Sequence, residues 1–354
     1  MNNFHKYLEN IKPEIDRRLD NIYESDRKSL KEYGLFGKEA VGKIIEFSKL
    51  GKSLRGGIFL LSCEIFGLSN REQVLDIACA IEIIQSSLLI HDDIIDNDFL
   101  RRGKLSVFAQ YIPLAERIKI KDTVSFSKSM GICVGDIGFF YGMELFQKTT
   151  IKARLNNDVM GKMLWEIMIV GIAQMNDVYY GNLKKCPDYS EIENVYIYKT
   201  ARYTFFLPLV LGAMISEKDK SVQKILEEIG ICAGILYQIR DDEMGIFSDE
   251  KTIGKSLGSD LRENKKTMIR HFLYKMAKRH EIQKMDQIFG KDKITAGDIS
   301  YIKKVSESVN LNGYLNSLKN KYRQKAYDLI KKLNMQKYKN ILYEMVDFAS
   351  SRKK

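Results

Sequence analysis

Apolar residues recur along most of the chain at the spacing of α-helices that bury one or more faces. One such stripe leads directly into a group of aspartates and comprises Val74, Ile77, Ala78, Ile81, Ile84 and Leu88. Segments 161–180 and 225–245 are also long, mostly apolar and free of proline, whereas the alternation typical of strands is scarce. The pattern therefore predicts an all-α fold, a helical bundle with several apolar central helices.

A third apolar segment, 126–146, carries small residues along one stripe, at Gly131, Gly135, Gly138 and Gly142. Glycine costs helix propensity, but it allows a neighbouring helix to come close. We expect this segment to pack tightly against another helix.

The chain has 354 residues, of which 45% are hydrophobic, so it can bury a large core. Length alone suggests two domains. However, only four prolines occur, and no Gly/Ser/Pro-rich linker or internal repeat divides the chain. We expect a single domain over residues 1–354, with a motif-bearing core at about 51–267 and a helical C-terminal part at 268–354.

A net charge of +11 fits nucleic acid, an anionic membrane surface or phosphorylated substrates as partners. Much of the excess lies in lysine-rich stretches near the end of the sequence, which are typical of solvated helix faces. No nucleic-acid-binding signature accompanies them, so nucleic acid is not an expected partner. Membrane contact is compatible with the charge, but no motif indicates it.

Five cysteines occur without CxxC spacing, which predicts reduced, small core residues: Cys63, Cys79, Cys133, Cys186 and Cys232. The sequence begins MNNFHKYLEN, without an apolar signal segment, and has no uninterrupted run of about eighteen apolar residues. We expect a soluble, cytoplasmic protein.

The first acidic cluster, HDDIIDND, contains Asp92, Asp93, Asp96 and Asp98. On a helix, Asp92 and Asp96 project from the same face with Asp93 beside them. Their negative charges at a helix C-terminal end are unfavourable unless something cationic offsets them. Hard oxygen ligands at this spacing suit Mg²⁺, which usually binds one or two carboxylates together with substrate phosphates.

A second cluster, YQIRDDEMG, supplies Asp241 and Asp242 after a similar apolar helix. Two such clusters predict two carboxylate walls at one cavity, where metal ions would hold a polyphosphate. A di-iron bundle would instead need Glu-x-x-His motifs, and the sequence has none. Basic residues in short motifs are candidate phosphate ligands: Lys52, Arg55, Arg101, Arg102, Lys199, Lys255 and Lys265.

Taken together, these motifs resemble those of the trans-isoprenyl diphosphate synthases. In chain order they are GKSLR at 51–55, HDDIID at 91–96, RRG at 101–103, GD at 135–136, KT at 199–200, QIRDD at 238–242, GKSLGSD at 254–260 and NK at 264–265. The resemblance implies an all-α barrel around a deep central cavity, usually dimeric. It also implies head-to-tail condensation of isopentenyl diphosphate with an allylic diphosphate, and a geranylgeranyl diphosphate synthase is the most similar type.

The resemblance also implies roles for individual residues. About three Mg²⁺ ions would be bound by Asp92, Asp96 and Asp241, with Asp93 and Asp242 in support. The allylic diphosphate would contact Arg101, Lys199, Lys255 and Lys265. Isopentenyl diphosphate would contact Lys52, Arg55, Gln85 and Arg102. Thr200 and Gln238 would line the carbocation, and Gln174 and Asp177 match a supporting Gln-x-x-Asp pair.

The sequence departs from the family pattern in three places. Gly245 stands where many members have the third aspartate of the second motif, so it cannot bind metal. Gly56 follows Arg55 where proline is common, which favours a looser loop. Gln85 replaces a frequent histidine, and both side chains can donate a hydrogen bond to phosphate.

Product length is predicted from the helix before Asp92. An aromatic residue four or five positions earlier often stops growth in this family, but Leu88 and Ser87 stand there. We therefore expect a C20 product, with C25 or longer, or farnesyl diphosphate, as alternatives. Ile84 and Ile81 would lie deeper, and Phe139 and Phe140 could form a floor. The alternative that Ser87 is only a small residue for helix packing stays open.

Two other functions fit parts of the pattern. A class I terpene cyclase would share the metal-binding acids but would not need Lys52, Arg55 and Arg102. A non-catalytic partner subunit of a synthase would be expected to have lost acids, yet Asp92, Asp96 and Asp241 remain.

Overall fold

The computed structural model describes residues 3–68, 70–149, 153–247 and 258–352. Helices dominate these ranges, and the strands within them form one two-stranded hairpin. The all-α prediction is therefore confirmed. The chain divides into two compact units, and the single-domain organisation stays a prediction. Unit 1 is Met1–Met160 with Leu211–Glu217, and unit 2 is Gly161–Val210 with Lys218–Lys354.

Unit 1 is built from long helices and the hairpin. Its elements are α1 (Asn3–Lys31), α2 (Gly37–Lys49), α3 (Leu54–Ile65), α4 (Glu72–Ile95), β1 (Leu100–Arg101), β2 (Lys104–Leu105), a 3-10 turn (Ala109–Tyr111), α5 (Ile112–Arg117) and α6 (Thr123–Gln147). The next helix, α7 (Ala153–Asn182), belongs to both units.

The glycine stripe of α6 packs against α4, as the sequence predicts. A Cβ atom on Gly138 would collide with the Ser87 hydroxyl, and one on Gly135 would collide with the His91 ring. The two helices approach so closely because these positions lack side chains. This packing fixes the end of α4 that carries the first aspartate cluster.

Helix α4 is apolar enough to meet a membrane-span criterion by length and composition over Val74–Ile95. However, 78% of that stretch is buried inside the structure. Its apolar surface is therefore used for packing in unit 1, mainly against α3 and α6.

Unit 2 surrounds one long helix, α10. Its elements, after α7, are α8 (Tyr189–Val195), a π-helix (Tyr196–Phe206), α9 (Leu207–Ile215, which continues into unit 1), α10 (Lys220–Phe247), α11 (Ser259–Arg262), α12 (Met268–Met276), α13 (Arg279–Ile288), α14 (Ala296–Ser308), α15 (Leu311–Lys332), a 3-10 turn (Gln336–Tyr338) and α16 (Lys339–Ser351).

Helix α10 lies against the π-helix at very short range. A Cβ atom on Gly234 would collide with the backbone of Ala201. One helical turn further along α10 comes Gln238, and the next turn brings Asp242. The close approach therefore places these polar side chains beside the KT motif of the π-helix.

All five cysteines are free thiols, as the spacing predicts. Cys63, Cys79 and Cys232 are buried, but Cys133 is exposed and Cys186 is only partly buried. The prediction that the cysteines are core residues is therefore wrong for Cys133, which lies on an outward face of α6.

Candidate active site

The first aspartate cluster lies where α4 ends. The Asp96 N–H donates to the Asp92 carbonyl at 2.9 Å, and the Asp98 N–H donates to the Asp93 carbonyl at 2.8 Å. The chain therefore wraps back over the last helical turn. Asp93 and Asp98 become buried, whereas Asp92 and Asp96 keep part of their surface exposed.

Arg101 is the cation that makes this crowding tolerable. Its Nε donates to Asp93 Oδ1 at 2.6 Å, and Nη2 lies 3.5 Å from Asp92 Oδ2 and 3.6 Å from Asp98 Oδ2. Burial disfavours the charged guanidinium, but the carboxylates outweigh it, Asp93 most of all, and raise the pKa of Arg101. The sequence predicts Arg101 as a diphosphate ligand; the structure places it inside the acidic cluster.

The RRG motif forms the turn that delivers Arg101. In the hairpin, Leu100 pairs with Leu105 and Arg101 with Lys104. The two turn residues, Arg102 and Gly103, both have positive φ angles of 55° and 74°. Two-residue turns of this kind match the twist of antiparallel strands. The turn therefore directs Arg101 towards the aspartates from the adjoining strand.

A buried glutamate, Glu82, organises the candidate isopentenyl diphosphate residues of unit 1. Its Oε1 accepts the Gly56 N–H at 2.8 Å. Burial raises the pKa of Glu82, and this hydrogen bond and the charges of Arg55 and Arg102 oppose that rise. Arg102 in turn donates to the Phe47 carbonyl at 3.2 Å.

Sequence reasoning overlooked Glu82. A carboxylate that interrupts an apolar stripe, three residues before Gln85, is the signal that could have revealed it. Gln85 is itself buried, whereas Lys52 is exposed. The structure thus gathers Arg55 and Arg102 around Glu82, on the face of α4 that also carries Gln85.

In unit 2, the second aspartate motif is paired with an arginine, Arg352, that the sequence analysis did not identify. Arg352 Nη2 lies 2.5 Å from Asp241 Oδ1, and its guanidinium stacks 3.7 Å from the ring centroid of Tyr237. The Arg352 carbonyl accepts from Arg240 Nε at 2.9 Å. The residue after α16 is therefore fixed to α10 beside the motif.

Asp242 lies at the centre of a buried hydrogen-bond chain. Tyr196 Oη donates to its Oδ2, and Gln238 Nε2 donates to its Oδ1 at 2.8 Å. Thr200 Oγ1 donates to Gln238 Oε1 at 2.6 Å, and the Met268 N–H donates to Tyr196 Oη at 3.0 Å. Burial raises the pKa of Asp242 well above its ordinary value, and the nearby Asp260 adds to the rise.

The KT motif lies in the π-helix, a form of backbone that is common at functional sites. Lys199 Nζ donates to Asp177 Oδ2 at 2.6 Å, and both side chains are 23% exposed. Gln174 precedes Asp177 by three residues on α7, on the same side of that helix. The structure therefore joins Lys199 to the predicted Gln-x-x-Asp pair.

The remaining basic candidates have different outcomes. Lys265 Nζ lies 2.8 Å from Glu263 Oε2 and 3.8 Å from Asp260 Oδ1, so it lies within an acidic group of its own. Lys255 lies outside the described residues.

Comparison with known proteins decides the family. The family model described as polyprenyl synthetase matches residues 40–306, about three quarters of the chain. The chain belongs to the polyprenyl synthetase family. It is accordingly a prenyltransferase, an enzyme that elongates prenyl chains.

Individual relatives agree with this assignment. A geranylgeranyl diphosphate synthase of Saccharolobus solfataricus is 30% identical over 267 residues, covering 74% of this chain and 72% of the relative. One of Methanosarcina mazei is 28% identical over 306 residues, with 85% and 86% covered. The fold is similar to a geranylgeranyl pyrophosphate synthase from Corynebacterium glutamicum complexed with isoprenyl diphosphate and magnesium, with a TM-score of 0.91, 23% identity and 98% and 99% coverage.

The carboxylates of unit 1 fit the metal that this polyprenyl synthetase is expected to use. Asp92 and Asp96 are one helical turn apart, partly exposed and able to supply hard oxygen ligands. With Asp93, Asp98 and Arg101 they form a group of four negative charges and one positive charge, which favours a divalent cation. The site is thus compatible with metal binding.

The structure also describes the residues that predict product length in this synthetase. Ile84 and Ser87 are fully buried on α4, with Ser87 directly against Gly138, whereas Leu88 is partly exposed. Phe139 lies with its ring centroid 5.5 Å from that of His91. Phe140 is 72% exposed, so it does not pack against α4. The roles of these residues in chain length stay predictions.

Proposed function

We propose that this polyprenyl synthetase catalyses the Mg²⁺-dependent head-to-tail condensation of isopentenyl diphosphate with an allylic diphosphate. The product is an all-trans prenyl diphosphate, geranylgeranyl diphosphate (C20). The observation that carries the proposal is the pair of partly exposed carboxylates, Asp92 and Asp96, held one turn apart over a buried Arg101–Asp93 ion pair. A diphosphate bound through metal ions needs such a rigid, acidic support.

Asp92 and Asp96 of the first motif and Asp241 of the second would hold the metal ions. Bound Mg²⁺, about three ions by family resemblance, would supply the positive charge that a departing diphosphate requires. Asp93 and Asp242 are buried and hydrogen-bonded, so their role is to support the neighbouring ligands.

Basic side chains would bind the diphosphates directly. Lys199, Lys265 and Lys255 are assigned to the allylic substrate. Arg55 and Arg102, gathered around Glu82, are assigned to isopentenyl diphosphate, with Lys52 and Gln85 beside them. Arg101 serves the allylic site indirectly, because its guanidinium holds Asp93 and Asp92 in place.

In the reaction, the allylic C–O bond breaks and its electron pair leaves with the diphosphate. The alkene of isopentenyl diphosphate then attacks the allylic cation, which forms the new C–C bond. A proton is lost from the adjacent carbon to the released diphosphate. Thr200 and Gln238 would face the cation, and the apolar helices around them would exclude water, which would otherwise quench it.

Product length would be set on α4 below Asp92. Leu88 keeps part of its surface accessible, while Ser87 and Ile84 are packed into the α4–α6 contact. None of these residues is aromatic, which favours C20 over farnesyl diphosphate. The C25 product is the outcome expected if the cavity continues past Leu88.

We also propose that the enzyme is a cytoplasmic homodimer. Large apolar side chains project from one stripe of α7 in unit 2, namely Trp165, Met168, Ile172, Met175 and Tyr179, which are 46% to 72% exposed in the single chain. Their spacing of three and four residues alternately is that of a helix seam. A second copy of the chain would cover this stripe, since family members are usually dimeric.

One assay tests the reaction. Purified protein is incubated with Mg²⁺, isopentenyl diphosphate and, in separate reactions, C5, C10 or C15 allylic diphosphate, followed by chain-length analysis. A C20 product is expected from each primer. Hydrocarbon release would indicate a terpene cyclase instead, and elongation that occurs only after a second protein is added would indicate a partner subunit.

A further inference from the structure

Tyr196 begins the π-helix and is almost fully buried. Its hydroxyl oxygen accepts the Met268 backbone N–H at 3.0 Å. A backbone N–H can only donate, so the Tyr196 proton must point elsewhere, and it points to Asp242 Oδ2. The direction of this first hydrogen bond is therefore fixed by the backbone.

The direction is then passed on through Asp242. With Oδ2 occupied by Tyr196, its Oδ1 accepts from the amide nitrogen of Gln238 at 2.8 Å. The amide oxygen of Gln238 consequently faces Thr200 and accepts the Thr200 proton at 2.6 Å. Thr200 thus donates its only hydroxyl proton to Gln238, and the lone pairs of its oxygen remain available to a group bound in front of it.

We propose that Tyr196 is a positioning residue for prenyl transfer, which fixes the polarity of the Thr200–Gln238 pair so that Thr200 presents oxygen lone pairs, not a proton, to the allylic cation. This inference rests on the function proposed above. Lone pairs stabilise a developing positive charge, whereas an O–H dipole aimed at the cation would oppose it. The lone pairs are oriented before the reaction, so no reorganisation is needed as the charge develops.

Two features of the sequence bring the members of this hydrogen-bond chain together. Gln238 and Asp242 lie one turn apart on α10, which lets the amide reach Oδ1. Tyr196 and Thr200 lie four residues apart in the π-helix, and the close contact of Gly234 with Ala201 brings that helix against α10. The packing of the π-helix against α10 therefore holds both Tyr196 and Thr200, at the two ends of the hydrogen-bond chain, in place.

The test is Tyr196→Phe, which keeps the ring and removes the hydroxyl. Asp242 then loses the donor to Oδ2, and the Gln238 amide loses its fixed orientation. We expect kcat to fall on the order of ten- to a hundredfold, with KM for both diphosphates and Mg²⁺ binding to the free enzyme, measured by calorimetry, changed less than about twofold. Tyr327→Phe is the matched control, since Tyr327 also donates to an aspartate, Asp347, at 2.8 Å.

A double-mutant cycle separates a positioning role from a merely structural one. If Tyr196 acts through Thr200, Tyr196→Phe adds little to the loss already caused by Thr200→Val. An unchanged kcat in Tyr196→Phe, or two losses that multiply in the double variant, would overturn the inference. If Tyr196→Phe does not fold, Tyr196→Met, which also removes the hydroxyl but fills the buried space with a flexible side chain, replaces it in the cycle with the same expectation. A wild-type enzyme without elongation activity would refute the proposed function and is recognised before the cycle is begun.

Discussion

The carboxylate of Asp260 occupies the space in which a side chain on Gly245 would begin. A Cβ atom at Gly245 would collide with Asp260 Oδ2 and lie 2.8 Å from Oδ1. Gly245 replaces the third aspartate that many polyprenyl synthetases carry in the second motif. The replacement and the position of Asp260 on α11 are therefore complementary, because a side chain at position 245 would have to displace the Asp260 carboxylate.

Restoring the familiar aspartate should consequently harm this enzyme. Gly245→Asp is expected to lower the free energy of unfolding by about 1–3 kcal/mol, because it overpacks the site and adds a carboxylate beside Asp260. Denaturant unfolding and initial rates measure the effect. The double variant Gly245→Asp with Asp260→Gly should recover stability; a double variant less stable than either single one would contradict the steric explanation.

Removal of the Arg101 guanidinium should destabilise unit 1. Arg101→Gln leaves the buried Asp93 without its ion-pair partner, which is expected to cost about 3–5 kcal/mol of unfolding free energy. Lys104→Gln, on the paired strand and exposed, is the control and should change stability by less than about 0.5 kcal/mol. Equal losses in the two variants would show that the hairpin, and not the ion pair, is responsible.

Loss of Asp92 should remove activity through the metal. Asp92→Asn keeps the shape of the side chain but removes its charge, and we expect kcat/KM to fall by roughly a thousandfold or more. Chelation of Mg²⁺ should abolish turnover of the wild type, and added Mg²⁺ should restore it. Near-normal turnover of Asp92→Asn at limiting Mg²⁺ would refute a ligand role.

An aromatic residue at the partly exposed position of α4 should shorten the product. Leu88→Phe is expected to shift the main product from C20 towards C15, because the ring would fill space beside the growing chain. Chain-length analysis of the product measures the shift. Ser87→Ala is the control, since Ser87 lies against Gly138, and should leave length unchanged. Product of unaltered length from Leu88→Phe would show that this position does not limit chain growth.

Lys266 predicts a specific pH dependence of stability. It is buried, its ammonium has no hydrogen-bond partner among the described residues, and burial, followed by the charge of Arg270, lowers its pKa to about 8. Below pH 8 the lysine is charged in both states, so the folded state bears the full cost of burying that charge. Between pH 8 and the unfolded pKa of 10.5, the unfolded state binds more protons, and stability rises with pH.

Lys266→Met should therefore stabilise the protein most at pH 7, by roughly 1–3 kcal/mol, and progressively less towards pH 10. Thermal or denaturant unfolding across this range measures the difference between variant and wild type. A stabilisation that is the same at pH 7 and pH 10 would show that packing, not charge burial, is the cause.

Much of this arrangement follows from local pattern. The helices, the aspartates at the end of α4 and the tight contact of the Gly138 stripe are predicted by periodicity and residue size, because those signals act over a few turns. The ion-pair partner of a charged residue cannot be predicted from such local signals. Nothing local indicates that Arg101 pairs with Asp93, since that depends on the direction of the RRG turn.

Contacts between distant segments are still less accessible from one sequence. Arg352 contacts Asp241, from which it is separated by 111 positions in the sequence, and Tyr196 accepts a hydrogen bond from Met268, 72 positions away. No periodicity relates such pairs, because their meeting depends on how α10, α12 and α16 pack. The sequence identified Thr200, Gln238 and Asp242 as members of the site but not the hydrogen-bond chain that connects them.

The contact between Gly135 and His91 extends the meaning of the first aspartate motif. Any side chain larger than hydrogen at position 135 would displace the ring of His91, the residue that immediately precedes Asp92. The HDDIID motif therefore depends on a seventh residue, Gly135, which lies on another helix. Transfer of the six contiguous residues to a different scaffold would carry over the candidate metal ligands but not the glycine on α6 that leaves room for the His91 ring.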